Sequence, residues 1–117
     1  MNRGDIMLVN LPAPHGTGHE QVGQRPALVV HNDSTSSKLP VISIIPFTTR
    51  LEALRFPHAI RVEPSEQNGL SQISVLMVFQ LRVIDKQRLL HKIGRLEEDV
   101  LKKVDAEIRL MLDLSLS

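Results

Sequence analysis

Two clusters of polar residues flank apolar segments of this chain and could together bind a phosphate group. The first precedes one apolar segment and the second follows the next, and their members are His19, Glu20, Gln21 and Arg25, then Thr48, Thr49 and Arg50. Arginine presents a planar fork of donors that matches phosphate oxygens, and a threonine hydroxyl can donate to the same group. If the two segments form adjacent antiparallel strands, Arg25 approaches Thr48. Taken alone, the residues favour a plainer interpretation, in which the arginine caps its own loop and the threonine closes a turn.

The elements that must position these clusters are short strands and one helix. Strands are predicted over residues 5–10, 27–30, 41–45, 58–62, 74–79 and 82–84, with a closing strand or turn over 93–96. Apolar residues then recur at spacings of three and four, which predicts an amphipathic helix from Glu97 to Leu114. Many short strands followed by a helix indicate a mostly β fold, a small curved sheet or barrel with one packed helix, in a single domain over residues 1–117. These elements bury too little to cover every apolar position, so we expect a two-fold dimer.

The composition excludes several classes of protein. The chain has no cysteine, which removes disulfides, thiolate zinc sites and cysteine nucleophiles. Its net charge of +1 and its 3% aromatic content do not by themselves indicate a nucleic-acid-binding protein. No apolar stretch approaches the roughly 20 residues of a membrane-spanning helix, and the N-terminus lacks the features of a signal peptide. We therefore expect a cytoplasmic protein that does not associate with membranes.

Metal and cofactor motifs are weak in this sequence. His15 and His19 are four residues apart, as zinc ligands on a helix would be, but Gly16 and Gly18 lie between them and no third ligand is evident. The same glycines lack the third glycine and the following helix of a dinucleotide-binding loop. We therefore expect neither a metal site nor a cofactor.

The order of the segments resembles that of the MazF/PemK (Kid) family of toxin endoribonucleases. The segments that carry the resemblance are "RGDIMLVNL", "GHEQVGQRPALVVHND", "PVISIIPFTTR", "QLRVIDKQRLLHKIGRL" and "VLKKVDAEIRLMLDL". Together they span nearly the whole chain, and "GHEQ-x-G-x-RPALVV" followed by "P-x-T-[TS]-R" is a specific combination. The resemblance implies a small SH3-like barrel of the CcdB/PemK type with a C-terminal α-helix, acting as a homodimer. It also implies metal-independent cleavage of single-stranded RNA, and neutralisation by a cognate antitoxin whose tail occupies the RNA groove.

The resemblance assigns roles to the polar clusters. Arg25 and Thr48 match the positions that the family ties to catalysis, in which the substrate's 2′-OH attacks the adjacent phosphate to give a 2′,3′-cyclic phosphate and a 5′-OH. Arg25 would bind the phosphate oxyanions and Thr48 would donate a hydrogen bond to them. His19 matches a position where some members carry a histidine, and it would transfer the proton. The residues expected to bind substrate are Glu20, Gln21, Thr49, Arg50 and Gln80.

Two departures from the family pattern keep alternatives open. Phe79 and Met77 stand where some members carry an acidic residue and an arginine with acid–base roles. Because neither can move a proton, His19 or Glu20 takes that work, or cleavage is slow, or the protein binds RNA or a peptide without cutting. A DNA gyrase poison shares the barrel, but it would need functional residues at the C-terminal end, where residues 111–117 are apolar and helical in pattern.

Overall fold

The computed structural model describes residues 1–11 and 23–115. In these ranges the chain forms seven strands: β1 (Asp5–Leu11), β2 (Gly23–Val29), β3 (Val41–Thr48), β4 (Ala59–Val62), β5 (Ser74–Met77), β6 (Arg82–Asp85) and β7 (Leu89–Arg95). The α-helices are α1 (Asp33–Ser36) and α2 (Glu98–Met111), and three short 3-10 helices cover Leu51–Arg55, Val78–Gln80 and Lys86–Arg88. The prediction of a mostly β fold with one C-terminal helix is confirmed.

The strands form one antiparallel sheet in which β3 has the most neighbours. The order is β4-β5-β3-β2-β1-β7, and β6 also pairs with β3. Along one edge β3 pairs with β2, from Ile44 to Pro46. Along the other edge, residues 41–44 of β3 pair with β6 and its last two residues pair with β5. This arrangement places the end of β3 between the beginning of β2 and the beginning of β5.

Pro26 and Pro46 lie inside β2 and β3, although the sequence predicted strands that begin just after Pro26 and end just before Pro46. At Pro26, β2 pairs only with β1, because the recorded β2–β3 pairs begin at Ala27. At Pro46, β3 has passed the last β6 pair at Ile44 and has not reached the first β5 pair at Phe47. A prolyl nitrogen has no hydrogen to donate, so each proline is tolerated where one strand edge lacks a partner. The predicted start of β2 at residue 27 and end of β3 at residue 45 were therefore wrong.

Other boundaries also differ from the prediction. Strand β5 is shorter than predicted, because residues 78–80 form a 3-10 turn, while β7 is longer and begins at Leu89. The polar stretch after β2, which falls outside every predicted element, contains the single-turn helix α1, whose first turn is capped by the Asn32 side chain accepting from the Ser34 N–H.

Side chains on alternate residues divide the core between two faces of the sheet. One face packs against α2, and its buried residues include Ile6, Leu28, Ile45, Phe47, Leu76, Leu101 and Val104. We call this the helix face. The other face, which we call the opposite face, buries Val9, Leu11, Ala27, Val29, Ile42, Ile44 and Ile84. Each face is buried, which explains why the central strands are nearly continuous apolar runs.

Asp5 is a buried carboxylate that joins the N-terminus to β7. It accepts a hydrogen bond from the Asn2 N–H at 2.8 Å, and its Oδ1 lies 3.3 Å from Lys92 Nζ and 3.2 Å from Arg95 Nη1. Burial alone would raise the pKa of Asp5. The Asn2 hydrogen bond, together with the hydrogen bonds and charge of Lys92 and Arg95, outweighs it and holds the pKa below the usual value. Asp5 is therefore more acidic in the folded chain than in the unfolded chain.

We expect Asp5 to make stability depend on pH in the acid range. A carboxyl whose pKa is lowered by folding stabilises the fold above the unfolded-state pKa of about 3.9, and this stabilisation is lost as the pH falls through the lower folded-state value. The urea midpoint of Asp5→Asn should therefore lie below that of the wild type at pH 7, and the gap should narrow as the pH is lowered towards 3. Glu66→Gln, an exposed change in the loop after β4, serves as the control. A gap that stays constant with pH would contradict the assignment.

Candidate functional site

Arg25 and Thr48 converge at one end of the β2–β3 pair. These strands are adjacent and antiparallel, as predicted, and their last recorded pair at this end is Ala27 with Pro46. Arg25 and Thr48 each lie two residues beyond that pair, in the direction that brings them together. The register therefore brings Arg25 towards Thr48, as the sequence predicted.

The two side chains also belong to the same face of the sheet. Side chains two residues apart on a strand share a face. Ala27 and Val29 on β2 lie on the opposite face, so Arg25 does too; Ile42 and Ile44 on β3 place Thr48 there as well. Thr48 is 3% exposed, whereas Arg25 is half-buried. Arg25 and Thr48 thus lie on the same face at the same end of the β2–β3 pair, at the margin of an otherwise apolar surface.

The conformation of Thr48 is fixed by a local hydrogen bond. Its Oγ1 accepts from the Arg50 N–H at 3.2 Å, which closes a turn between β3 and the 3-10 helix Leu51–Arg55. On the other side, Thr48 pairs with Val75 of β5. Because the oxygen accepts from the backbone, the hydroxyl hydrogen remains to donate to a ligand. Thr48 does close a turn, as the plainer interpretation of the sequence held. The same hydrogen bond fixes the direction of the hydroxyl and leaves its hydrogen able to donate to a ligand.

The other predicted residues at the end of β3 are accessible. Thr49 and Arg50 are exposed and follow Thr48 directly. Gln80 is half-buried at the end of the 3-10 helix Val78–Gln80. Gln80 lies two residues before Arg82, and Arg82 pairs with Ile44 of β3. Gln80 is therefore close to the part of β3 that leads to Thr48. These three residues surround the same end of the sheet.

His19, Glu20 and Gln21 lie outside the described residues. Strand β1 ends at Leu11, which pairs with Gly23 at the start of β2. Arg25 pairs with Val9, two residues further along the ladder from this pair.

Met77 and Phe79 serve packing rather than proton transfer. Met77 is 2% exposed and lies with Ala53 and Val75 in a small apolar cluster, against which Phe79 also packs. The Phe79 ring lies 5.1 Å from that of Phe56, measured between centroids. Neither position offers an acid or a base.

In residues 1–11 and 23–115 no group of three histidine, aspartate or glutamate side chains could hold a metal ion. A cavity of about 290 Å³ is lined by Asn10, Asp85, Gln87, Arg88 and Leu90, and neither Arg25 nor Thr48 is among the lining residues. Among the described helices none is long and apolar enough to cross a membrane.

Solved structures share this fold. MazF from Deinococcus radiodurans superposes with a TM-score of 0.77 over 97% of each chain, at 23% sequence identity. A structure of MazE–MazF from the same organism matches with a TM-score of 0.74 at 26% identity, covering 98% of this chain and 97% of that one. The chain therefore has the fold of MazF proteins.

Sequence comparison identifies the family. Residues 2–112 match the PemK-like, MazF-like toxins of type II toxin–antitoxin systems, and the chain belongs to that family. Endoribonuclease EndoA of Bacillus subtilis (strain 168) is 32% identical over 114 residues, which are 97% of this chain and 96% of that protein. Endoribonuclease MazF of Staphylococcus saprophyticus is also 32% identical over 114 residues, 97% of this chain and 92% of that protein. The resemblance noted in the sequence is confirmed.

Proposed function

We propose that this protein is an endoribonuclease toxin that cleaves single-stranded RNA at specific sequences. The observation that carries the proposal is the convergence of Arg25 and Thr48 on one face at one end of two paired strands, in a chain whose 32%-identical relatives are endoribonucleases. The substrate's 2′-OH attacks the adjacent phosphorus and the 5′-oxygen leaves. The products are a 2′,3′-cyclic phosphate and a 5′-OH, and no metal or protein nucleophile takes part.

Arg25 and Thr48 supply electrostatic stabilisation in this proposal. The guanidinium of Arg25 binds the non-bridging oxygens of the phosphate, on which charge develops as phosphorus becomes five-coordinate. The Thr48 hydroxyl, held by the Arg50 N–H, donates to one of these oxygens and fixes its orientation. Both groups are positioned by β2 and β3 before substrate arrives, so little reorganisation accompanies the reaction.

Proton transfer falls to the segment between β1 and β2. Because Met77 and Phe79 hold no titratable group, His19 takes the proton from the 2′-OH or returns one to the 5′-oxygen, with Glu20 as the alternative. Glu20, Gln21, Thr49, Arg50 and Gln80 bind the nucleotides on either side of the scissile phosphate.

The partners follow from family membership. The relative from Deinococcus radiodurans has been solved as MazE–MazF, which supports a cognate antitoxin for this chain as well. We propose that the chain forms one domain, acts as a homodimer, and works in the cytoplasm, where mRNA is its substrate.

The decisive experiment is cleavage of a long single-stranded RNA by the purified protein in EDTA. The proposal expects fragments with 2′,3′-cyclic phosphate and 5′-OH ends at a recurring sequence. Protein that binds RNA in a gel-shift assay without cutting it, with or without added magnesium, would support the non-cleaving module instead. Failure to bind or cut RNA at all would remove the proposal.

His19 gives a separate prediction through pH. A histidine that moves the proton places an inflection between pH 5 and 8 in the rate profile. We expect His19→Ala to lower the rate about 10²- to 10⁴-fold, the range for loss of a general acid or base, and to remove that inflection. The matched control is His15→Ala in the same segment, which should leave both unchanged. If His19→Gln retains the wild-type rate and profile, Glu20 becomes the residue to test.

A further inference from the structure

Two of the three aromatic side chains of this protein form a pair at the surface. The chain has three phenylalanines, no tryptophan and no tyrosine. Phe47 is 1% exposed in the core, but Phe56 and Phe79 are half-buried, with ring centroids 5.1 Å apart and planes inclined at 50°. The Arg55 guanidinium lies over the Phe56 ring, 4.8 Å from its centroid. The aromatic faces that this chain can offer to a ligand are therefore gathered in one place.

This aromatic pair is continuous with the Arg25–Thr48 site. Val75 pairs with Thr48, and the cluster of Val75 and Met77 continues along β5 to Phe79. The backbone of Phe79 is fixed by donation of its N–H to the carbonyl of His58 at 3.3 Å. Four residues along the chain separate Phe79 from Val75, and one strand spacing separates Val75 from Thr48, so Phe79 lies within about 14 Å of Thr48.

The charges around the pair suit an RNA backbone. Arg50 and Arg55 are exposed at the two ends of the 3-10 helix that connects Thr48 to Phe56, and Glu52 is the one acidic residue in that helix. Arginine at the edge of an aromatic surface is the combination with which proteins hold single strands, since the bases stack and the phosphates are bound by the cations.

We propose that Phe79, packed against Phe56, is the platform on which a nucleobase close to the scissile phosphate stacks. This inference rests on the proposed function, and it gives a role to a residue that stands where some family members carry an acid. At that position this chain offers an aromatic face. Phe79 then acts on substrate binding and register, while the chemistry stays with Arg25, Thr48 and the segment before β2.

The test uses the absence of native tryptophan. In the full-length protein, Phe79→Trp introduces a single indole, whose fluorescence should be quenched on titration with a single-stranded RNA made uncleavable by 2′-deoxy substitution at the scissile position. Val83→Trp is the matched control, because Val83 is 58% exposed on β6 and pairs with Ser43, on the helix face rather than the opposite face. Its fluorescence should not respond to RNA.

Kinetics provide a second measurement that does not depend on the indole. Loss of one stacked base should raise the KM of Phe79→Leu by about 5- to 150-fold, while kcat changes less than threefold and Phe79→Tyr retains the wild-type KM. A merely structural role would lower the unfolding midpoint of Phe79→Leu without this selective change in KM.

The outcomes separate this inference from the proposed function. If the protein binds and cuts RNA but the Phe79→Trp signal and the KM of Phe79→Leu are unchanged, stacking at Phe79 is wrong and the nuclease proposal stands. If the indole responds to a peptide from the antitoxin and not to RNA, the platform serves a protein partner and the inference is overturned. If no variant, nor the wild type, binds or cuts RNA, both proposals fail together.

Discussion

Replacement of Arg25 by alanine should lower the rate constant for RNA cleavage at least about a hundredfold, the usual effect of removing one group that stabilises transition-state charge. The arginine is half-buried near the beginning of β2, on the same face and at the same end of the strand pair as Thr48. Single-turnover cleavage of a defined RNA measures this effect without contribution from product release. Far-ultraviolet circular dichroism and the urea midpoint should remain close to wild type, because Arg25 lies at the margin of the core.

Variants of the same pair distinguish charge from geometry. Arg25→Lys keeps the charge but loses the two-pronged geometry, so it should recover only part of the rate. Thr48→Val keeps the shape of the side chain but loses the hydroxyl, and should fall at least tenfold, whereas Thr48→Ser should stay near wild type. The control is Arg109→Ala, which removes an exposed arginine from α2. Wild-type rates for both Arg25→Ala and Thr48→Val would show that the site lies elsewhere.

The convergence of Arg25 and Thr48 could be predicted because it depends on short-range information. Consecutive apolar segments usually pair, and an antiparallel pair brings the start of one strand to the end of the other. The helix α2 was predictable for a similar reason, since Leu101 and Val104 follow the helical period and are buried as expected.

The positions that were wrong or missed depend on which strand edges and surfaces are occupied. A proline ends a strand only where both edges of that strand need hydrogen bonds. Whether the edges at Pro26 and Pro46 have partners depends on how β3 pairs with β2, β5 and β6, which the local sequence does not reveal. Phe56 and Phe79 are far apart in sequence, because β4 and β5 lie between them. No local sequence pattern therefore predicts that their rings pack together. Local signals thus predicted that Arg25 and Thr48 lie together, whereas the surroundings of the pair depend on tertiary packing.

The loop between β4 and β5 shows how strongly such packing is specified. Asn68 is 0% exposed, yet its side chain is fully used: Nδ2 donates to the carbonyl of Glu63 and to Glu97, and Oδ1 accepts from the N–H groups of Ser65 and Leu70. This network holds the loop backbone in direct contact with the backbone of β7. The contact leaves no room for a Cβ atom on either side, and both sides carry a glycine, Gly69 in the loop and Gly94 on β7.

We expect the largest loss of stability from Gly69→Ala. Gly69 has φ +71°, and an added Cβ would lie 2.3 Å from the Ile93 carbonyl oxygen, which belongs to the backbone of β7 and cannot rotate away. The positive φ costs about 1–2 kcal/mol for an L-residue, and forced overpacking costs about 1–3 kcal/mol or more. The expected decrease in the free energy of unfolding is about 4 kcal/mol, a large part of the ~5–15 kcal/mol that holds a domain of this size together.

Two other glycines separate the causes of this loss. Gly23 has φ +81°, and its added Cβ would meet no atom of residues 1–11 and 23–115 within 4 Å, so Gly23→Ala should show the backbone cost alone, about 1–2 kcal/mol. Gly94 has no positive φ, but its added Cβ would lie 2.5 Å from the carbonyl oxygens of Gln67 and Asn68, so Gly94→Ala should show the contact cost of about 1–3 kcal/mol or more. Urea unfolding of the three variants gives the comparison. If Gly69→Ala is no less stable than Gly23→Ala, the loop does not pack against β7 as described, and the network around Asn68 cannot be what holds it there.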